Sequence, residues 1–294
     1  MDQILYEVGS HNAAELQVGF IGLGSQGAPM ARRIIDAGYP VTLWARRPAT
    51  LEPFAGTSAK VAASPAELAA ASDLVCICVV SDADVEELVA GEDGVLAGIA
   101  RGAVVAVHST VHPDTCRRLA AQADARGVRL VDAPVSGGAP AVAEGRLLVM
   151  AGGETETVAF CRPVFATYGD PVVHCGPVGS GQVTKLLNNL LFTANLGAAA
   201  SILTLGQALG VAAGRLADVI SHGSGASYAL DRISAAGGTL DLMAPIAGPL
   251  LSKDARLVAD LAEAAGAPAG AVMAAADAAL ALMNQPARAR FRER

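Results

Sequence analysis

Lys185 stands in Gly179-Ser-Gly181-Gln-Val-Thr-Lys185-Leu-Leu-Asn188-Asn189, four residues before Asn189, and a helix there puts both on one face. An ammonium near the start of an apolar helix is unfavourable beside the positive end of the helix dipole. Burial would lower its pKa toward neutrality, the range a general acid/base needs. The plain alternative is a lysine whose stem lies on apolar surface and whose head stays in water. A second segment, Asp132-Ala-Pro-Val-Ser136-Gly137-Gly138, follows a strand pattern. Ligands bind at the carboxyl ends of strands in open α/β sheets. A serine with two glycines behind it exposes a hydroxyl and main-chain N–H groups together, which makes either a carboxylate cradle or simply a turn.

A third cluster, Gly22-Leu23-Gly24-Ser25-Gln26-Gly27, follows the apolar run Val18-Gly-Phe-Ile21 and opens a helical pattern. Strand, tight turn and helix in that order suit a dinucleotide. Gly22 permits the bend, Gly24 lets the backbone approach a pyrophosphate, and Gly27 lets helix pack on strand. The N–H groups at the helix start then face the phosphates. Alone the spacing is a weak signal, but a second strand pattern, Val41-Thr-Leu-Trp44, arrives one βαβ unit later. It ends in Ala45-Arg46-Arg47, where an NAD enzyme usually has an acidic residue for the ribose 2′-hydroxyl. Two guanidiniums suit a 2′-phosphate, so NADP(H) is expected over NAD(H), unless both arginines are ordinary solvated loop residues.

The elements that must position these groups alternate. Strand patterns recur at 41–44, 74–80, 104–107, 129–132 and 147–151, with a short last one at 171–174. Helical patterns lie at 65–71, 84–90, 113–125 and 156–168. Continuous apolar strands alternating with helices imply a mostly parallel sheet covered on both faces. Beyond the Gly/Pro-rich stretch 176–181 a long helix is expected over 182–209, then helices at 213–222, 227–234, 252–265 and 268–283, the last with Pro268 at its first position. The expected fold is therefore α/β: a Rossmann-type NADP-binding domain over 18–178, followed by an all-α domain over 179–294, joined by a long interdomain helix. Residues 1–17 form an N-terminal extension that lacks the apolar core of a secretory signal.

The chain has 294 residues, a formal net charge of −7 and no basic stripe, which disfavours nucleic-acid binding. The basic tail, Arg288 to Arg294, reads as a solvated terminus. The apolar stretch 186–209 is interrupted by Asn188, Asn189, Thr193, Asn195, Ser201, Thr204 and Gln207, which favours a buried helix over a membrane span. Cysteines at 76, 78, 116, 161 and 175 have no further partners at metal-ligand spacing. They read as small core residues in a reduced, cytoplasmic setting, with no metal expected.

With these motifs in order, and with Lys253-Asp254 further on, the chain resembles the β-hydroxyacid dehydrogenases over about residues 18 to 283. That family includes 3-hydroxyisobutyrate dehydrogenases, tartronate, glyoxylate and succinic semialdehyde reductases, and 6-phosphogluconate dehydrogenases. The resemblance implies that Lys185 is the catalytic acid/base and that Asn189 orients the substrate. It implies that Ser136, Gly137 and Gly138 bind the substrate carboxylate. Thr110 would contact the cofactor near the nicotinamide, with Val79 and Val80 beside it where the family often has Leu-Pro. Lys253 would reach cofactor or substrate. A homodimer or larger oligomer is implied, as is reversible hydride transfer on a small hydroxy acid or semialdehyde. Imine reductases share this architecture but usually place another residue where Lys185 stands, and non-catalytic cofactor-binding relatives tend to lose the lysine.

Departures from the family pattern are Gln26 for a frequent Met, Ile246 for a Phe seven residues before the Lys-Asp pair, Val107-His108 for a frequent Asp and apolar residue, and an end at Arg294 without the usual Gly/Asp/Ser-containing tail. His108 is expected to be a satisfied structural histidine.

Overall fold

The computed structural model describes residues 16–286. The expected solvated tail, and all but the last two residues of the expected extension, lie outside that range. The chain divides into two compact units, one ending at Lys185 and the other starting at Leu186.

The first unit is built on a nine-stranded sheet. Strands β1 (Val18–Ile21), β2 (Val41–Trp44), β3 (Lys60–Val61), β4 (Leu74–Ile77), β5 (Val104–Val107) and β6 (Arg129–Asp132) run parallel, in the order β3-β2-β1-β4-β5-β6. Beside β6 lies β8 (Leu147–Gly152), which runs antiparallel both to β6 and to the two-residue β7 (Val135–Ser136). The last strand, β9 (Gly169–Gly176), lies parallel to β8. The order reverses between β1 and β4, the switch point at which such sheets bind ligands.

Two-residue periodicity divides the sheet residues between two apolar cores. Phe20, Cys76, Val104 and Ala106 enter one, and Ile21, Val75, Ile77, Val105 and Val107 enter the other. Helix α1 (Gly27–Asp36) packs Met30 and Ile34 on the first face, while α2 (Pro65–Ala70), α3 (Asp82–Ala90) and α5 (Pro113–Asp124) pack Leu68, Val85 and Leu119 on the second. Ser64 and Ser81 cap α2 and α3 through side-chain oxygens that accept main-chain N–H bonds. Short elements escape the sequence patterns because they are too brief for periodicity: a 3-10 turn at Pro48–Phe54, the helices α4 (Val95–Gly98) and α6 (Gly138–Ala143), and the strands β3 and β7. The helix α7 (Thr155–Phe165) falls where a helical pattern was read.

The fourth strand is shorter than the apolar run 74–80 suggests. It stops at Ile77, Val79 turns its N–H to the Ser109 hydroxyl at 2.8 Å, and Val80 is exposed.

The second unit is all helical. Most of α8 (Ser180–Ala208) belongs to it, with α9 (Ala213–Ser221), α10 (Tyr228–Ala235), α11 (Ala244–Ala264) and α12 (Gly270–Leu282). By length and mean hydropathy α8 is long and apolar enough to cross a membrane. Its Leu186, Leu190, Leu196 and Leu203 nevertheless enter the apolar core of this unit, with Leu230, Ile233, Leu251 and Met273. Helix α11 starts eight residues before the expected 252. Pro245 lies in its first turn, where no N–H is needed, and the helix tolerates Pro249 inside. Pro268 precedes α12 by two residues instead of opening it.

Candidate active site

Parallel register brings the ends of five strands into one row. Ile21 is level with Trp44 and Ile77, Ile77 with Val107, and Val107 with Asp132. The segments that follow are Gly22–Gly27, Ala45–Arg47, Cys78–Val80, His108–Thr110 and Ala133–Gly138, so one edge of the sheet gathers most of the residues singled out from the sequence.

In the glycine turn each glycine has a distinct steric reason. Gly22 has φ +96°, and a Cβ there would strike the Cys78 carbonyl. A Cβ on Gly27 would strike the Gly22 carbonyl and lie 3.1 Å from Phe20, so the start of α1 lies directly on β1. A Cβ on Gly24 would meet nothing within 4 Å. The start of α1 has no acidic residue in its first turn and no side-chain cap. A bend, a close helix and an open approach are the fit a dinucleotide pyrophosphate requires. Ser25 is exposed and Gln26 stands at the N-cap position, whereas Leu23 is buried.

Arg46 and Arg47 are exposed beyond β2. Arg46 forms an ion pair with Asp84 at 2.8 Å, and Asp84 is also bonded to the Ser81 hydroxyl at 2.6 Å. The Ser81 hydroxyl and the Arg46 guanidinium hold the Asp84 carboxyl below its usual range.

Ser136 ends β7, and Gly137 turns the chain with φ +129° into α6. Just upstream, Asp132 is fully buried and its carboxylate accepts the Gly179 N–H at 2.6 Å and the Gln182 N–H at 2.7 Å. Burial pushes this carboxyl up to about 6, against the lowering effect of those two bonds and of the nearby Arg117. Gln182 is buried too. Its amide donates to the Ser109 carbonyl at 2.8 Å and accepts the Val111 N–H at 3.1 Å, so the first turn of α8 is tied to the segment that carries Thr110. Lys185 follows Gln182 by three residues and is 7% exposed.

In the second unit Asp254 is buried and joins two of the expected residues. Its carboxylate accepts the Asn189 amide at 2.6 Å and meets the Lys253 ammonium at 3.1 Å. Ile246 is exposed. This unit also contains a cavity of about 540 Å³ lined by Leu203, Ala217, Asp218, Ser221 and Asp231 among others, and none of the expected site residues lines it.

His108 is a structural residue. It is buried, its Nδ1 lies 2.7 Å from the Ala133 carbonyl and its Nε2 lies 3.1 Å from the Tyr168 hydroxyl. Burial lowers its pKa to about 4. Cys76, Cys116 and Cys161 are buried, as expected of small core residues, while Cys78 and Cys175 are partly exposed; all five are free thiols.

Sequence reasoning left Asp132, Gln182, Ser109 and Asp254 without roles. The signal for Gln182 was present: a polar residue in the first turn of an apolar helix, three before a lysine. Asp132 and Asp254 are recognisable only once the fold shows which N–H groups and side chains they meet.

Comparison with known proteins agrees with this architecture. Residues 17–176 match the NAD binding domain of 6-phosphogluconate dehydrogenase, and residues 179–290 match a second family, described as NAD-binding of NADP-dependent 3-hydroxyisobutyrate dehydrogenase. An NAD-dependent L-serine dehydrogenase of Pseudomonas aeruginosa is 34% identical over 255 residues, 84% of this chain and 86% of that protein. The mitochondrial 3-hydroxyisobutyrate dehydrogenase of Rattus norvegicus is 33% identical over 229 residues, 78% of this chain and 68% of that protein. The solved structure of a Mycobacterium tuberculosis 3-hydroxyisobutyrate dehydrogenase with L-serine superposes with a TM-score of 0.81 at 28% identity, covering 92% of this chain and 95% of the other. On the two matched domains and the extent of these likenesses, the chain belongs to the β-hydroxyacid dehydrogenase family of oxidoreductases.

Proposed function

We propose that this protein is an NADP(H)-dependent oxidoreductase that moves a hydride between the nicotinamide and a small β-hydroxy acid or its semialdehyde, with Lys185 as general acid/base. The observation that carries the reading is a buried lysine, 7% exposed, at the start of a helix whose first turn is bonded to the segment after β5 and to the last residue of β6. A lysine in that setting is a candidate for proton transfer, whereas a surface lysine keeps its head in water.

The main chain of Gly22, Leu23, Gly24, Ser25, Gln26 and Gly27 would hold the pyrophosphate. Arg46 and Arg47 would hold the 2′-phosphate, Arg46 exchanging or sharing its pairing with Asp84. Val79, Val80, Thr110 and Lys253 would complete the cofactor contacts. When bound, the nicotinamide supplies hydride donation or acceptance. Ser136, Gly137 and Gly138 bind the substrate carboxylate through the serine hydroxyl and main-chain N–H groups. Lys185 in its neutral form takes the proton of the substrate hydroxyl during oxidation, and as an ammonium returns it to the forming alkoxide oxygen during reduction. Asn189, steadied by Asp254, orients the same oxygen. The reductive direction is favoured by the arginine pair. The protein is read as a cytoplasmic homodimer or larger oligomer that acts on a small carboxylate, away from nucleic acid and membranes.

The test is a substrate panel: purified protein with NADP+ or NAD+ against L-serine and 3-hydroxyisobutyrate, and with NADPH against semialdehydes and a cyclic imine. Turnover of a hydroxy acid or semialdehyde with preference for NADP(H) is the expected result. Reduction of the imine alone, or NADPH binding without any turnover, would overturn the reading.

A further inference from the structure

We propose that Asp132 and Gln182 are positioning residues for Lys185, forming a buried clip on the first turn of α8. The inference rests on the acid/base role proposed above for that lysine. Gly179 and Gln182 occupy the N-cap and third positions of α8, whose N–H groups have no partner within the helix. In the common local solution a Ser or Thr at the N-cap takes one of these N–H groups, and a Glu or Gln at the third position folds back on the other. Gly179 has no side chain to offer. Here one carboxylate from the end of β6 accepts both, at 2.6 and 2.7 Å. The Gln182 side chain is thereby released to bond the 109–111 segment at both of its amide atoms.

Two glycines make room for the clip. A Cβ on Gly181 would strike the Met150 carbonyl and lie 2.9 Å from Asp132 Oδ2, and a Cβ on Gly152 would lie 2.5 Å from Asp132 Oδ1. The helix start is thus pressed onto the ends of β6 and β8, while Gln182 ties it to the segment after β5. Lys185 lies one turn further on, so its direction is set by a turn fixed from two sides. Ser109 extends the chain of bonds, since its hydroxyl accepts the Val79 N–H at 2.8 Å. The residues expected near the cofactor, Val79 and Thr110, are in this way linked to the turn that precedes the expected acid/base.

The experiment is a double-mutant cycle with Asp132→Asn and Lys185→Ala, read by single-turnover kinetics with enzyme in excess, using NADP+ and whichever of L-serine and 3-hydroxyisobutyrate turns over faster. The Asn amide keeps one acceptor but sets a donor against the other N–H. Asp132→Asn is expected to slow the wild-type background by about 10²-fold, the scale of a misplaced catalytic group. It should cost less than about 3-fold in the Lys185→Ala background and leave the NADPH dissociation constant within about 3-fold, because residues acting through one group are not additive. Equal losses in both backgrounds would overturn the proposal, as would near-normal turnover of Asp132→Asn alone. Full activity of Lys185→Ala would instead remove the acid/base reading on which the clip depends. Should Asp132→Asn fail to fold by circular dichroism, Gln182→Met enters the same cycle with the same outcomes.

Discussion

At Gly24 cofactor binding and stability are expected to respond separately to one substitution. A methyl group on Gly24 touches nothing in the protein, so Gly24→Ala should melt within about 2 °C of the wild type. The same methyl group stands where a pyrophosphate would approach the backbone, and NADPH affinity should fall by about 10-fold or more in a fluorescence titration. An unchanged affinity would place the phosphates elsewhere. The bend at Gly22 and the close packing at Gly27 were legible in the glycine spacing. Arg46 was legible as a cation, but its pairing with Asp84 was not, since the two are 38 residues apart, one just beyond β2 and the other in the first turn of α3. His108 reads correctly as structural, and its partners, the Ala133 carbonyl just after β6 and the Tyr168 hydroxyl in the turn after α7, are connected by no local pattern.

At the scale of elements, the contact of α1 with β1 depends on Gly27. Replacing a helical glycine by alanine ordinarily gains about 1 kcal/mol. Gly27→Ala should instead lower the melting temperature, because its Cβ would strike the Gly22 carbonyl and force the helix off the strand. A gain in stability would show that the helix start can yield. The strands β2, β5 and β6 fall at the residues expected; β5 is buried at every position and leaves a continuous apolar signal, whereas β2 is buried at alternate residues. The early start of α11 was hidden by Pro245 and Pro249, which mimic a helix stop although the first needs no donor. The short strand β7 and helix α6 around Ser136–Gly138 could not be read because two to six residues are too few for a period. The proposal for Ser136–Gly138 therefore rests on their chemistry and not on a period in the sequence.

For the whole molecule, two buried groups give the stability an unusual pH dependence. His108 titrates near 4 in the folded chain and near 6.5 when unfolded, so the unfolded state gains a proton first and stability falls as pH drops through that window. Asp132 titrates near 6 when folded against 3.8 when unfolded, so the folded state gains its proton first and stability rises over nearly the same window. Each difference corresponds to about 3 kcal/mol, and the two largely cancel. In urea titrations at pH 7 and pH 4.5, Asp132→Asn should lose stability on acidification more steeply than the wild type, and His108→Gln should gain it. Parallel slopes in all three proteins would contradict the assignment of both groups. The cancellation is a property of the fold that composition could not reveal, because it depends on which of 28 acidic residues and five histidines are enclosed.

The most direct test of the proposed chemistry is Lys185→Ala, with kcat measured on the preferred hydroxy acid alongside the NADPH dissociation constant. The acid/base role predicts that kcat falls by about 10²- to 10⁴-fold while NADPH affinity stays within about 3-fold. Retained turnover, or a loss of cofactor affinity equal to the loss of rate, would contradict it.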